Sequence, residues 1–179
     1  MSNNGSDKER EFFVTGTETY LDVDDAMAQF RRMVQDQCTT LVSRRLDEIN
    51  RACEMDWTPN DLRDYTSRQS DHFNVGKQVA VENFGGLYFY LELRRGNDDL
   101  VYKTLVDLYR QRANLGAALW NCGAASGTAH CKGNDLTFEQ LVSKDKIPDF
   151  VEHLNQAIDD FIKLIGDCGG LRKYLPPRS

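Results

Sequence analysis

The sequence lacks the patterns by which common cofactor and metal sites are recognised. It has no GK[ST] ending that would complete a phosphate loop, and its five cysteines show no CxxC spacing. An odd number of cysteines without such spacing is unlike the disulfide framework of a small secreted domain. We therefore expect no cofactor and no catalytic motif, and the sequence favours a protein that is not an enzyme.

Long apolar runs and an excess of basic residues are also missing. No window approaches the roughly 18 to 20 consecutive apolar residues of a membrane-spanning helix, and the first residues, MSNNGSDKERE, lack the regions of a signal peptide. Acidic residues outnumber basic ones by 28 to 22, a net charge of −6, which disfavours broad attraction to nucleic acid or anionic membranes. We expect a cytoplasmic protein with neither of these partners.

The length and composition suit one folded domain. A chain of 179 residues with 40% hydrophobic content can bury about 70% of its unfolded surface in a single core. The pattern of polar and apolar residues predicts a disordered tail over residues 1–10, a single α+β domain over 11–175 and a flexible tail over 176–179.

The first strong pattern is an apolar stripe that predicts a helix over residues 22–55. Its members recur every three or four positions: Met27, Phe30, Val34, Cys38, Leu41, Val42, Leu46, Ile49 and Cys53. The acidic cluster at 22–25 is typical of a helix start. The mean spacing is nearer to the value of about 3.6 for a straight helix than to about 3.5 for a coiled coil. We therefore expect a helix laid across a sheet, and homodimer formation through this helix stays open.

The best-specified stretch, residues 75–94, predicts a β-hairpin with a three-residue loop at 83–85. The predicted cross-strand pairs are Val81 with Leu87, Val79 with Phe89, and Val75 with Leu93. In this register one face is aliphatic, with only Lys77 out of pattern, and the other face is both aromatic and polar. The aliphatic face should belong to the core.

The remaining elements complete an α+β fold. Capping signals predict a short second helix over 59–68, a further helix over 97–120, a helical turn at 137–142 and a last helix over 148–166. Residues 67–74 are expected to form a loop, 12–14 an edge strand, and 128–132 a short strand. We predict a long N-terminal helix and two later helices packed on a small, mainly antiparallel sheet centred on the hairpin.

The second face of the hairpin supplies the candidate site. It carries Gln78, Tyr88, Tyr90, Glu92 and Arg94. Tyrosine and arginine are enriched in the cores of protein interfaces. The sequence therefore favours a non-catalytic protein-binding domain of the adaptor, chaperone-like or immunity and inhibitor type. These subtypes rest on analogy with proteins of this size and charge.

Alternatives to protein binding stay open. Cys122, His130 and Cys131 lie in one loop, but zinc needs four converging ligands and only three are local. A metal-dependent hydrolytic or nucleic-acid-associated protein would need a site assembled from dispersed acids such as Asp71, Glu82 and Glu92. Tyr88 and Tyr90 could then stack on bases.

Overall fold

The computed structural model describes residues 4–81, 85–96, 100–110, 129–132, 135–143, 147 and 149–175. Several stretches lie outside the described residues: 83–84 of the predicted 83–85 loop, the capping cluster at 97–99, residues 111–128, Pro148, and the terminal residues 1–3 and 176–179. The chain divides into two compact units, Met1–Met33 and Val34–Ser179.

The described chain holds two α-helices and six strands. In chain order they are α1 (Asn4–Cys53), β1 (Arg63–Arg68), β2 (His72–Val81), β3 (Gly85–Arg95), β4 (Leu100–Arg110), β5 (Ala129–Lys132), β6 (Asp135–Val142) and α2 (Phe150–Asp167). One 3-10 turn, Pro59–Asp61, lies between α1 and β1, and another, Arg172–Tyr174, comes after α2. The fold is α+β, as predicted, with one long N-terminal helix.

Helix α1 begins well before the predicted start. It contains residues 12–14, so the predicted edge strand there is wrong, and the acidic cluster at 22–25 lies inside the helix rather than at its end. The stretch 4–10 of the predicted N-terminal tail is helical as well. Residues 4–33 of α1 belong to the first unit and residues 34–53 to the second.

The sheet has the strand order β1-β2-β3-β4-β6-β5, and all neighbouring strands are antiparallel. The hairpin of β2 and β3 is near its centre, as predicted, but its register differs by two residues. Val81 pairs with Gly85 and Val79 with Leu87, so the connection is 82–84 rather than 83–85. Gly85, which we predicted to be the last residue of the loop, is the first residue of β3 and has a φ of 148°. A shift of two residues keeps every side chain on its predicted face.

The aliphatic face of the hairpin is the core. Val75, Val79, Leu87, Phe89 and Leu91 are almost wholly buried. Helix α2 packs over the same face of the sheet. Its Phe161 makes an edge-on contact with Phe138 of β6, and the two ring centroids are 5.7 Å apart. The part of α1 that belongs to the second unit contacts the sheet at β1, where Gln35 Nε2 donates to Thr66 Oγ1 at 3.4 Å. Its buried stripe runs from Val34 to Cys53.

Lys77, which breaks the aliphatic pattern, reaches the edge of the sheet. Its Nζ donates to Asp64 Oδ1 at 2.5 Å, across the pairing of β2 with β1. The aliphatic part of a lysine side chain can cover a core while the ammonium group stays at the rim. Burial raises the pKa of the nearby Cys38 thiol to about 12, so this thiol packs as a neutral core group.

Three predicted helical segments are strands instead. The predicted 59–68 helix is one 3-10 turn followed by β1, the segment 100–110 of the predicted 97–120 helix is β4, and the predicted turn at 137–142 lies in β6. The predicted loop at 67–74 contains the end of β1 and the start of β2. Of the two later helices that we predicted, the structure shows the last one, which ends at Asp167 before Gly169 adopts a φ of 73°.

Candidate functional site

The five predicted site residues lie on one face of the sheet. They occupy alternate positions of β2 and β3, and Gln78 is paired directly with Tyr88. The pairing extends this face onto neighbouring strands because side chains of paired residues point to the same side. We name the resulting set the tyrosine face: Arg63, Tyr65, Gln78, Tyr88, Tyr90, Glu92, Arg94, Lys103, Asp107, Thr137 and Glu139.

Three tyrosine rings form the centre of the tyrosine face. The ring of Tyr65 meets Tyr88 at 4.7 Å between centroids and Tyr90 at 5.3 Å, both in edge-on geometry. Such aromatic pairs each contribute about 0.5–1.5 kcal/mol beyond the area they bury. Gly76 lies between Tyr65 and Tyr90 in the register. A Cβ on Gly76 would lie 2.8 Å from Tyr90 Cβ, so glycine makes room for this cluster.

Tyr88 rests on a second glycine. A Cβ on Gly86 would lie 2.7 Å from Tyr88 Cε2, which shows that the phenol ring folds over the bare backbone two residues upstream. The ring is held from the side by Tyr65. Tyr88 is half-buried. The ring therefore packs between Tyr65 and the backbone of its own strand.

Asp107 fixes the deeper tyrosine. The hydroxyl of Tyr90 donates to Asp107 Oδ2 at 3.5 Å, and Thr137 Oγ1 donates to Asp107 Oδ1 at 3.1 Å. Burial raises the pKa of Tyr90, and the nearby charges of Asp107 and Glu92 raise it further. The phenol therefore stays protonated and remains a hydrogen-bond donor across physiological pH.

Charged side chains of both signs border the tyrosine rings. Lys103 Nζ lies 2.9 Å from Glu139 Oε2, and Arg94 Nε lies 3.5 Å from Glu92 Oε1. Glu92 is also the cross-strand partner of Lys103. The result is a row of alternating charge across β3, β4 and β6.

The predicted site residues differ in how much they are exposed. Tyr90 and Glu92 are only 5% and 7% exposed, while Gln78 and Tyr88 are half-buried and Arg94 is exposed. Arg63, which pairs with Gln78 on β1, is exposed too. The outer members are accessible to solvent, and the inner two are covered by their neighbours.

Sequence reasoning missed six members of the tyrosine face: Arg63, Tyr65, Lys103, Asp107, Thr137 and Glu139. All six lie in segments that we predicted to be helical. The β-branched and aromatic content of LVYKTLVDLY and the alternation in TFEQLV are the signals that could have identified strands. Which strands pair, however, depends on contacts between residues far apart in the chain.

The described residues of the two alternative sites, metal-binding and hydrolytic, do not form a cluster. Asp71 Oδ1 lies 2.8 Å from His72 Nδ1, and this hydrogen bond lowers the pKa of Asp71. Glu82 and Cys122 lie outside the described residues, while His130 and Cys131 are neighbours in β5. Within the described ranges, no three histidine, cysteine or acidic side chains converge as metal ligands. No helix among them is long and apolar enough to span a membrane.

A groove is present between α1 and the start of α2. It is lined by Asp36, Gln37, Thr40, Leu41, Arg44 and Val151 and has a volume of about 280 Å³. Small-molecule sites usually occupy about 300–1,000 Å³ and converge several polar groups. The volume of the groove is just below that range, and we keep the tyrosine face as the candidate site.

Comparison of the chain with protein-family models, with curated proteins and with solved structures gives no match.

Proposed function

We propose that the protein is a non-catalytic binding domain that recognises another protein through the tyrosine face. The observation that supports this most is the position of Tyr88, whose half-buried ring packs over Gly86 and against the ring of Tyr65. Exposed Arg63 and Arg94 lie on the same face. Held tyrosine rings with arginines around them are typical of the residues that dominate protein interfaces.

The charges of the tyrosine face favour a protein over a nucleic acid. Glu92, Asp107 and Glu139 place acidic groups close to the tyrosines. A phosphate backbone is attracted by basic surfaces and repelled by acids. A protein partner can match both signs of charge, since its own surface carries acidic and basic groups.

The members of the tyrosine face have two roles in this proposal. Tyr88, Gln78 and Arg94 contact the partner. Tyr90 and Glu92 are buried and act on the contacting side chains indirectly. Tyr90 packs against Tyr65, which in turn packs against Tyr88, and Glu92 lies beside Arg94. Loss of a contacting residue should weaken binding directly, whereas loss of a fixing residue should also alter stability.

We place this binding in the cytoplasm. Cys38 and Cys53 are buried free thiols in the described part of the chain, which suits a reducing compartment. The proposal covers adaptor, chaperone-like and inhibitor proteins. The nature of the partner separates them, because an inhibitor binds a folded enzyme or toxin and a chaperone binds a partly unfolded client.

Affinity capture tests the proposal and identifies the partner. The full chain is immobilised, exposed to a lysate of the native host, and compared by quantitative mass spectrometry with its Arg94→Glu and Arg51→Glu variants. Arg51 is exposed on α1 and provides the matched charge change away from the tyrosine face. We expect the captured protein to be lost with Arg94→Glu and kept with Arg51→Glu. Equal capture by all three chains would contradict the proposal.

A further inference from the structure

Strand β1 forms one edge of the sheet, and its outer side is open. Its residues pair with β2 without interruption, from Arg63 with Gln78 to Arg68 with Phe73, so no bulge twists the edge away. Among the described residues, no backbone hydrogen bond other than those with β2 reaches the strand. Such an edge presents unpaired N–H and C=O groups to any strand that can lie beside it.

The turn that joins β1 to β2 shows which residues of β1 point outward. Gln69 N donates to the carbonyl oxygen of His72, so these two residues form a hydrogen-bonded pair. Hydrogen-bonded and non-hydrogen-bonded pairs alternate along an antiparallel ladder. The odd positions of β1 therefore turn their backbone groups toward β2, and the even positions turn theirs outward: Asp64, Thr66 and Arg68. Each of these three residues offers one N–H donor and one C=O acceptor.

The helices leave this outer side uncovered. Thr66 pairs with the core residue Val75, so the even positions of β1 lie on the side of the sheet where the helices pack. All three residues at these positions are nevertheless exposed, although Gln35 of α1 donates to Thr66 Oγ1. Another strand can therefore lie beside β1 on this edge.

The sequence of β1 is complementary to itself in an antiparallel register centred on Thr66. When Thr66 of one chain lies beside Thr66 of a second copy, Asp64 of each chain lies opposite Arg68 of the other. The two-fold axis repeats this pair of opposite charges. Threonine opposite threonine is itself a favourable cross-strand pair. In this register every outward N–H and C=O group of both strands is used.

Other antiparallel registers lose the match of charges. Because only the even positions point outward, a different register must be displaced by two residues or more. A displacement of two sets both Asp64 and Arg68 opposite neutral residues. A displacement of four sets Asp64 opposite Asp64 or Arg68 opposite Arg68, which is unfavourable. We propose that the protein forms a homodimer in which two β1 strands pair in the register centred on Thr66 and join the two sheets into one.

The side chains at this interface have groups left for the contact. Asp64 accepts a hydrogen bond from Lys77 at Oδ1, and its Oδ2 has no hydrogen-bond partner among the described residues. Arg68 is exposed and forms no salt bridge within the same part of the chain. On the other side of the sheet, Tyr65 lies opposite Ser67 of the second copy. The dimer therefore presents two tyrosine faces side by side.

Sedimentation equilibrium of the full chain over a wide concentration range tests the dimer. We expect the 20.5 kDa chain to show a monomer-dimer equilibrium. Thr66→Pro removes an outward N–H from each strand, where proline is compatible with an edge strand, and should weaken dimerisation at least about tenfold. Thr66→Val keeps the N–H group and should stay within about threefold of the original. Circular dichroism verifies that both variants keep the sheet.

Charge variants test the register. Arg68→Asp should weaken dimerisation about tenfold, because it sets Asp opposite Asp64 twice. Arg63→Asp makes the same charge change opposite Gln69 and should weaken it less than about threefold. Chains with Arg68→Asp and chains with Asp64→Arg should associate with each other far better than either does with itself, since each acid then lies opposite an arginine again.

Several outcomes would overturn the proposal. They are a monomer at all concentrations, a dimer that survives Thr66→Pro, equal weakening by Arg63→Asp and Arg68→Asp, and a mixture that associates no better than its components. Met27→Asp changes an exposed apolar residue of α1 and should leave the dimer intact. Loss of the dimer with Met27→Asp would place the contact on α1 and would also overturn the pairing of β1 strands.

Discussion

Gly76 and Gly86 of the hairpin differ in what surrounds them in the structure, although the sequence does not distinguish them. A Cβ on Gly76 would lie 2.1 Å from the carbonyl oxygen of Phe89 and 2.6 Å from Tyr90 Cα, both backbone atoms of β3. A Cβ on Gly86 would meet only the far end of the Tyr88 ring, which can swing away. The first glycine is a requirement of strand pairing, and the second sets the position of one side chain.

The two glycines therefore give opposite predictions for unfolding. Gly76→Ala should lower the free energy of unfolding by about 3 kcal/mol or more, because the strands must separate to admit the methyl group. Gly86→Ala should change it by less than about 1 kcal/mol. Urea unfolding followed by circular dichroism measures both values. Equal losses from the two substitutions would contradict the close approach of β2 and β3 at Gly76.

Because of Tyr90, the free energy of unfolding should depend on pH in the alkaline range. Burial raises its pKa above the ordinary 10.0, so the folded protein keeps a proton that the unfolded chain releases. Its contribution is complete below pH 10 and is lost as pH rises further, by up to about 1.4 kcal/mol per pH unit. Buried Cys38 and Cys53, whose pKa values are raised from 9.0, change stability in the same direction.

Replacing the tyrosine isolates its share of this pH dependence. Between pH 10 and pH 11, the free energy of unfolding should fall less for Tyr90→Phe than for the original protein. The part of the fall that is due to the Cys38 and Cys53 thiols should be the same in both proteins. Urea titrations at closely spaced pH values measure the two curves. Parallel curves for the two proteins would show that Tyr90 does not hold its proton more tightly in the fold.

At the scale of elements, the faces of the hairpin could be predicted and the strands around it could not. The face of each side chain depends only on odd or even position, so the two-residue error in register left Tyr88 and Phe89 on opposite sides, as expected. In β4, the spacing of Val101, Leu105 and Leu108 also suits a helix. Two residues interrupt the alternation that would have identified this strand: Thr104 is polar on the buried face, and Leu105 is apolar on the tyrosine face.

Arg45 shows how a residue that breaks an apolar pattern can join two elements. In the sequence it interrupts the stripe of α1, and in the structure it crosses to α2. Its guanidinium donates to Asn155 Oδ1 at 2.5 Å and to Asp159 Oδ1 at 2.6 Å, and to Glu48 Oε2 of its own helix at 2.8 Å. Only 12% of its side chain is exposed. Arginine suits this role because its planar fork serves several acceptors at once.

Removing this connection should weaken the packing of the helices. Arg45→Ala should lower the free energy of unfolding by about 1–3 kcal/mol, because hydrogen bonds to charged groups and side-chain packing are both lost. The neighbouring exposed Arg44 is the control, and Arg44→Ala should cost less than about 0.5 kcal/mol. A double-mutant cycle with Asp159→Ala measures the coupling. Strictly additive effects of Arg45→Ala and Asp159→Ala would contradict a direct link between α1 and α2.

At the scale of the whole molecule, the candidate site could be located from the sequence but not completed. The hairpin placed Tyr88, Tyr90 and Arg94 together because they are near neighbours in the chain. Tyr65 and Asp107 reach them only through the pairing of β1 and β4, which joins residues far apart in sequence. The exposure of each member depends on the same pairing, so the proposed division into contacting and fixing residues could not be made from the sequence.

The central claim is that the tyrosine face binds a protein, and Tyr88 tests it most directly. Isothermal titration of the captured partner into the original chain, Tyr88→Ala and Gly86→Ala measures the affinity of each. We expect Tyr88→Ala to lose about 2 kcal/mol or more of binding free energy, and Gly86→Ala to lose a smaller part because it only displaces the ring. Unchanged affinity of a folded Tyr88→Ala variant would contradict the proposed function.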